Sequence, residues 1–169
     1  VSENAARCSI TFGAPSKTFN IAGIVSSYCI VPNEELRNHF FSYLSANEFD
    51  MATIFAMTAT EAAFTKGEEW RQQMISYIEG NIDFVEEYLK ANIPEITIMK
   101  PQASYLVWMN FSGLGLEHSA LVDMLINKAR LAMNDGAMFG AGGEQHTRLN
   151  VGTQRAVLEQ AMKQLKEAI

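Results

Sequence analysis

The segment Ala14-Pro15-Ser16-Lys17-Thr18-Phe19-Asn20-Ile21-Ala22-Gly23 sets one lysine in a polar turn between two runs that read as strands. Before it, Cys8–Gly13 carries β-branched and aromatic residues, and after it Ile24–Val31 carries more, so both predict buried strands. Pro15 fixes its own φ and biases Ala14 out of the helical region, while Gly23 permits close backbone approach. The turn is therefore predicted to be a built one, with Lys17 at a strand end. No Asp or Glu occurs between Glu3 and Glu34, which leaves the lysine without a local ion-pair partner. Desolvation there would favour the neutral amine, the form that attacks carbonyls. A solvated turn lysine is the alternative that local chemistry leaves open.

A chain of 169 residues, 48% hydrophobic and 19% charged, can bury a core of its own. A net charge of -6 with no run of lysine and arginine argues against a nucleic-acid partner. Cys8 and Cys29 lie within the strand-like runs and lack a cysteine or histidine at ligand spacing, so neither a disulfide framework nor a metal site is expected. They read as small buried hydrophobes in a reducing cytoplasm. No apolar run reaches the ~18 residues of a membrane span, and no basic region followed by a hydrophobic one opens the chain.

Downstream, Asn33 caps a helix with Glu34 and Glu35 in its first turn and Leu36, Phe40, Tyr43 and Leu44 on one face. Asp50 is expected to cap a second, with Met51, Ile54, Phe55, Thr58 and Ala62 as its stripe and Gly67 closing it. A third, roughly residues 68 to 91, carries Trp70, Met74, Ile78, Ile82, Val85 and Leu89 at spacings of three and four, a pattern of core packing. Pro94 ends it. Residues 95–99 and 104–110 then predict an antiparallel strand pair, with Tyr105 and Trp108 on opposite faces. A fourth helix over about 117–130 turns Leu121, Val122, Leu125 and Ala129 inward, and His118 reads as a surface residue.

The stretch from Leu131 to Gly152 carries a second chemical signal. Asn134-Asp135-Gly136 and Gly140-Ala141-Gly142-Gly143 are read as loops, and His146–Val151 as a strand with His146, Arg148 and Asn150 on one face. A guanidinium there can bind a carboxylate through two parallel hydrogen bonds, a geometry lysine cannot offer. A surface arginine paired with a glutamate is the alternative. Thr153 is expected to cap the last helix, in which Leu158, Ala161, Met162 and Leu165 pack inward. Arg155 at its start opposes the helix dipole and hints at a structural task.

Ser16-Lys17-Thr18-Phe19-Asn20-Ile21-Ala22-Gly23 resembles the Schiff-base segment of fold-type I pyridoxal-phosphate enzymes, within the class I/II aminotransferase-like group and nearest its cystathionine β-lyase branch. Arg148-Leu149-Asn150-Val151-Gly152-Thr153-Gln154-Arg155 resembles the stretch whose first arginine grips the substrate's α-carboxylate. Together they are far more specific than either alone, and the resemblance extends over essentially the whole chain. It implies an α/β fold, α+β within this stretch: residues 1–70 as the end of the large cofactor-binding domain, and 71–169 as the small C-terminal domain, an antiparallel sheet covered by helices. It implies pyridoxal 5'-phosphate as cofactor, Lys17 as the catalytic lysine that holds it, Ser16 as a candidate for its phosphate and Arg148 for substrate binding. An amino acid substrate and a homodimer are likewise implied. It also places Val1 inside the large domain, so the glycine-rich phosphate turn, the ring stacked on the cofactor and the aspartate on its ring nitrogen are expected upstream, and this stretch alone is expected to be inactive.

Two outcomes remain open within the family, transamination and loss of a sulfur leaving group from the β-carbon. Many aminotransferases of this fold carry an arginine eight residues after the lysine, where this chain has Val25, which leans toward the lyase branch. Two further departures are His146, where an aromatic is often found, and Ala103-Ser104, where a glycine often precedes the tyrosine strand. From a different class, a non-catalytic folded domain that self-associates through exposed apolar surface is the other reading.

Overall fold

The computed structural model describes residues 2–169, and the chain forms two compact units, Val1–Gln73 and Met74–Ile169. The first opens on a helix that the sequence pattern did not predict. Ser2 Oγ accepts from the Ala5 amide at 3.2 Å and caps α1 (Glu3–Cys8), which takes up Cys8, the first residue of the expected strand. Cys8 is consequently exposed at the helix end rather than buried, and Cys29 is half-buried; both are free thiols. The strand pair itself is present but shorter, with β1 (Thr11–Gly13) antiparallel to β2 (Tyr28–Ile30), and it is largely exposed rather than buried as expected, Phe12, Tyr28 and Ile30 all facing out. Gly13 faces Tyr28, whose ring would stand 2.5 Å from any Cβ placed there, so glycine makes room for the tyrosine.

The Asn33 cap holds as expected, its Oδ1 accepting from the Leu36 amide at 3.0 Å at the head of α2 (Glu34–Ala46). The next cap differs. Asp50 accepts a hydrogen bond from Ser45, and Thr53 instead caps α3 (Ile54–Lys66) through the Ala56 amide at 3.1 Å. The face α3 buries is also not the predicted one. Small side chains at Ala56, Ala59, Thr60 and Ala63 turn inward, while Met51, Ile54 and Phe55 are 84%, 69% and 77% exposed. Close packing through alanines leaves the large apolar residues facing out.

Helix α4 (Glu68–Asn92) is the longest element, and the division between the units falls within it. At its start Arg71 grips Glu68 through two hydrogen bonds of 2.8 and 2.6 Å. That grip, with a bond from Gln72, holds the Glu68 carboxyl down to about 2. The acid in the first turn also favours the helix dipole.

The second unit is built on a four-stranded antiparallel sheet in the order β3 (Thr97–Met99), β4 (Leu106–Asn110), β6 (His146–Asn150), β5 (Asn134–Asp135). Alternation divides its faces. Val107, Met109, Thr147 and Leu149 are buried, and the apolar three join Ile82, Val85 and Leu89 of α4 in the core. Leu121 of α5 (His118–Asp123) and Leu158, Met162 and Leu165 of α6 (Arg155–Ala168) complete it. After α5 the chain widens into a π-helical stretch, Met124–Lys128, where the Ala129 amide reaches back to the Met124 carbonyl at 2.9 Å. Asn134-Asp135 is a short edge strand rather than the expected loop, because its backbone pairs with β6 in the register Asn134↔Arg148 and Asp135↔Thr147. Ser104, one of the two residues standing where a glycine is often found, takes a left-handed φ of 74°, a conformation glycine reaches without cost.

The start of α6 is held by a buried amide rather than by Thr153. Asn81 is 0% exposed, and its Nδ2 donates to the carbonyls of Val151 and Thr153, each at 2.9 Å. Its Oδ1 accepts from Arg155 Nε at 2.9 Å, and the Arg155 guanidinium lies 4.7 Å from the centre of the Phe84 ring. Arg155 thus has the structural task its position suggested. Asn81→Ala removes the partner of one buried carbonyl, one part-buried carbonyl and a guanidinium nitrogen, so it is expected to destabilise the unit by about 2–4 kcal/mol. Urea unfolding checks this: the midpoint should fall with the slope unchanged.

Candidate functional site

The predicted site residues lie in two places, described separately because they belong to different units. Ser16 and Lys17 share a turn of the first. Pro15 is buried at its base; the Phe19 amide donates to the Pro15 carbonyl at 2.9 Å and the Ile21 amide to the Ser16 carbonyl at 3.0 Å. Asn20 sits at a φ of 52° and closes the turn, which gives the residue a conformational reason: asparagine tolerates the left-handed region better than most. A short 3-10 segment, Ala22–Ile24, follows, and Val25, at a φ of 54° and 85% exposed, leads toward β2.

Phe19 anchors the turn. Its ring meets Phe64 of α3 edge-on at 5.4 Å between centroids and stacks on Trp70 at 6.4 Å. Gly67 gives it room, since a Cβ there would come within 2.8 Å of the ring. Ser26 Oγ, 2.6 Å from Thr60 Oγ1, ties the far side of the loop to α3. The result is a fixed backbone that presents an exposed lysine, the solvated alternative rather than the desolvated one, within this unit. Among the described residues, Lys17 enters no ion pair.

Arg148 lies on β6 directly across from Trp108 of β4 and Asn134 of β5. It is half-buried. Its Nη2 donates to Asn134 Oδ1 at 3.0 Å, its guanidinium carbon stands 4.7 Å from the centre of the Phe139 ring, and its Nε is shut from solvent without a partner. Trp108 stacks on His146 at 5.7 Å and meets Phe139 edge-on at 5.6 Å. One face of the sheet therefore carries a guanidinium framed by aromatic rings and, among the described residues, in no ion pair with a carboxylate. That is a chemistry suited to an anionic group with apolar substituents.

Sequence reasoning missed the frame. Asn134 fell in a stretch read as a loop and Phe139 between the two stretches so read, and no periodicity marks either; Asn134 reaches Arg148 by pairing across the sheet and Phe139 by the 3-10 turn that follows. His118 is also more than a surface residue. Its Nδ1 accepts from the Gln145 amide at 3.2 Å, which leaves Nε2 to donate to Asp135 Oδ2, also at 3.2 Å.

No family model matches the chain. It is 39% identical over 169 residues to cystathionine β-lyase PatB of Bacillus subtilis (strain 168), covering 100% of this chain and 44% of that protein. Among solved structures, cystalysin from Treponema denticola, which contains a pyridoxal 5'-phosphate cofactor, superposes with a TM-score of 0.92 at 32% identity, over 99% of this chain and 42% of that one. A PLP-bound protein from Clostridium difficile 630 gives the same TM-score at 37% identity, over 99% and 43%. The chain thus spans less than half the length of the relatives it matches, and the match falls on their C-terminal part. Over that stretch the chain belongs to the fold-type I pyridoxal-phosphate-dependent family of cystathionine β-lyases and aminotransferases.

Proposed function

We propose that this chain carries the cofactor lysine, the carboxylate-binding arginine and the small domain of a pyridoxal-phosphate-dependent carbon–sulfur β-lyase that acts on amino acids. We read residues 1–70 as the end of the large domain and 71–169 as the small one. The observation that carries the reading is the Lys17 turn: a hydrogen-bonded backbone, clamped by Phe19, that presents an amine in no ion pair among the described residues. Lys17 and Ser16 fit the cofactor chemically, one as an uncommitted amine and the other as a neighbouring hydroxyl able to donate to a phosphate.

When bound, pyridoxal phosphate supplies an electron sink conjugated to the amino acid's α-carbon. Arg148 would bind the α-carboxylate through its guanidinium and so hold the substrate in one orientation. Lys17 Nζ would hold the cofactor, and its amine would serve as the base for the α-proton. In the lyase reaction, the electrons of the broken Cα–H bond move toward the β-carbon as the C–S bond breaks. The sulfur leaves with its bonding pair, takes up a proton to become a thiol, and hydrolysis yields pyruvate and ammonia. Val25 supports this outcome over transamination, since the position lacks the arginine that many aminotransferases of this fold carry.

A second reading has its own observation. Phe49, Met51, Ile54 and Phe55, close together in the chain, are 69–84% exposed, and exposed large apolar side chains grouped in this way mark association surfaces. It supports both the homodimer we propose for the complete protein and self-association of this stretch alone. The free thiols at Cys8 and Cys29 agree with the cytoplasmic location we propose. Among the described residues no helix is long and apolar enough to cross a membrane.

The test is product analysis on the complete protein with added pyridoxal phosphate. L-cystathionine should give pyruvate and ammonia in equal amounts. Amino transfer to a 2-oxo acid without pyruvate would favour the aminotransferase alternative, and neither reaction would overturn the enzyme reading.

A further inference from the structure

We infer that Asn134 and Phe139 are positioning residues that aim the Arg148 guanidinium for end-on capture of a carboxylate; the inference rests on the reading of Arg148 as the carboxylate-binding residue. A guanidinium has two faces and five N–H donors. In this structure each constraint on it has a separate source. The Phe139 ring centre lies 4.7 Å from the guanidinium carbon and limits its tilt. Asn134, directly across the β5–β6 ladder, takes one Nη2 hydrogen at 3.0 Å and sets its rotation. Nε is closed to solvent and unpaired, so a side-on approach through Nε is blocked. What remains is Nη1 with both hydrogens and Nη2 with one. That pair forms a fork that matches a carboxylate end-on.

The segment that carries both residues is itself held tightly. The Ala137 amide donates to Asp135 Oδ1 at 3.0 Å and starts the 3-10 turn Gly136–Phe139, which delivers the ring. Gly136 and Gly143 then approach so closely that a Cβ on either would collide with the other's carbonyl, and glycine is required at both. His118 bridges the two ends of the loop, with Asp135 Oδ2 on one nitrogen and the Gln145 amide on the other. Asn134 is exposed at the sheet edge and contributes nothing to the core. A polar edge residue whose side chain bonds only the arginine has a positioning task rather than a packing one.

The test is a double-mutant cycle in the complete protein, with L-cystathionine as the probe substrate. Asn134→Leu should raise KM by about 5–20-fold with kcat changed less than about twofold. In an Arg148→Leu background, the same change should add no further rise, because its effect passes through the guanidinium. Asn134→Asp, which keeps an acceptor and adds a charge that competes for the fork, should raise KM further than Asn134→Leu. Phe139→Leu should raise KM by about 2–5-fold. If Arg148→Leu raises KM while Asn134→Leu and Asn134→Asp leave it unchanged, the positioning inference fails and the carboxylate reading stands. If the rises from Asn134→Leu and Arg148→Leu are independent and additive, the inference also fails. If Arg148→Leu itself leaves KM unchanged, the carboxylate reading fails, and this inference fails with it.

Discussion

Lys17→Ala in the complete protein lowers kcat on L-cystathionine by at least ~10³-fold, since positioned proton transfer alone contributes 10²–10⁴. The loss is expected to be chemical rather than structural. The side chain is exposed and unpaired, and the turn is held by backbone hydrogen bonds and by Phe19, none of which the substitution touches. Unfolding stability should therefore stay within about 0.5 kcal/mol of the parent. Lys17→Arg sharpens the point, because it restores the charge but not an amine able to bind a carbonyl covalently, and its activity should be as low. Steady-state kinetics beside a thermal melt check both. An active Lys17→Ala variant would mean that the reactive amine is elsewhere.

Arg148→Leu is expected to lower kcat/KM by roughly 10²–10³-fold, the loss of two charge-assisted hydrogen bonds to one carboxylate at ~1.5–3 kcal/mol each, offset in part by the removed desolvation of the guanidinium. Arg148→Lys should fall between, since an ammonium keeps the charge and loses the fork. The effect should depend on the substrate's carboxylate. An amino acid amide, which lacks that charge, should be turned over equally poorly by the parent and by Arg148→Leu. A loss of the same size on both substrates would assign Arg148 a structural role.

Much of the second unit was legible because its elements are long and periodic. Ile82, Val85 and Leu89 sit on the buried stripe that their spacing predicts, and β4 and β6 alternate as read. Arg148 could be found on its strand because alternation fixes its face. Its frame could not be, since Asn134 reaches it only through the β5–β6 register, and two residues of edge strand leave no period to detect. The first unit was harder. Helix α3 packs through small residues, so the hydrophobic stripe marked the face left exposed rather than the one buried. Helix α1 hinges on a single serine cap in six residues, too short for any pattern. The Lys17 turn was legible as chemistry, but its anchoring by Phe19 against Phe64 and Trp70 joins residues far apart in the chain.

The central claim is that Lys17 is the cofactor's lysine. The direct measurement is to load the complete protein with pyridoxal phosphate, reduce with borohydride, and locate the phosphopyridoxyl label by peptide mass spectrometry. The account predicts label on Lys17 and not on the six other lysines of this stretch. Label spread evenly over those lysines, or absent from Lys17, would contradict it.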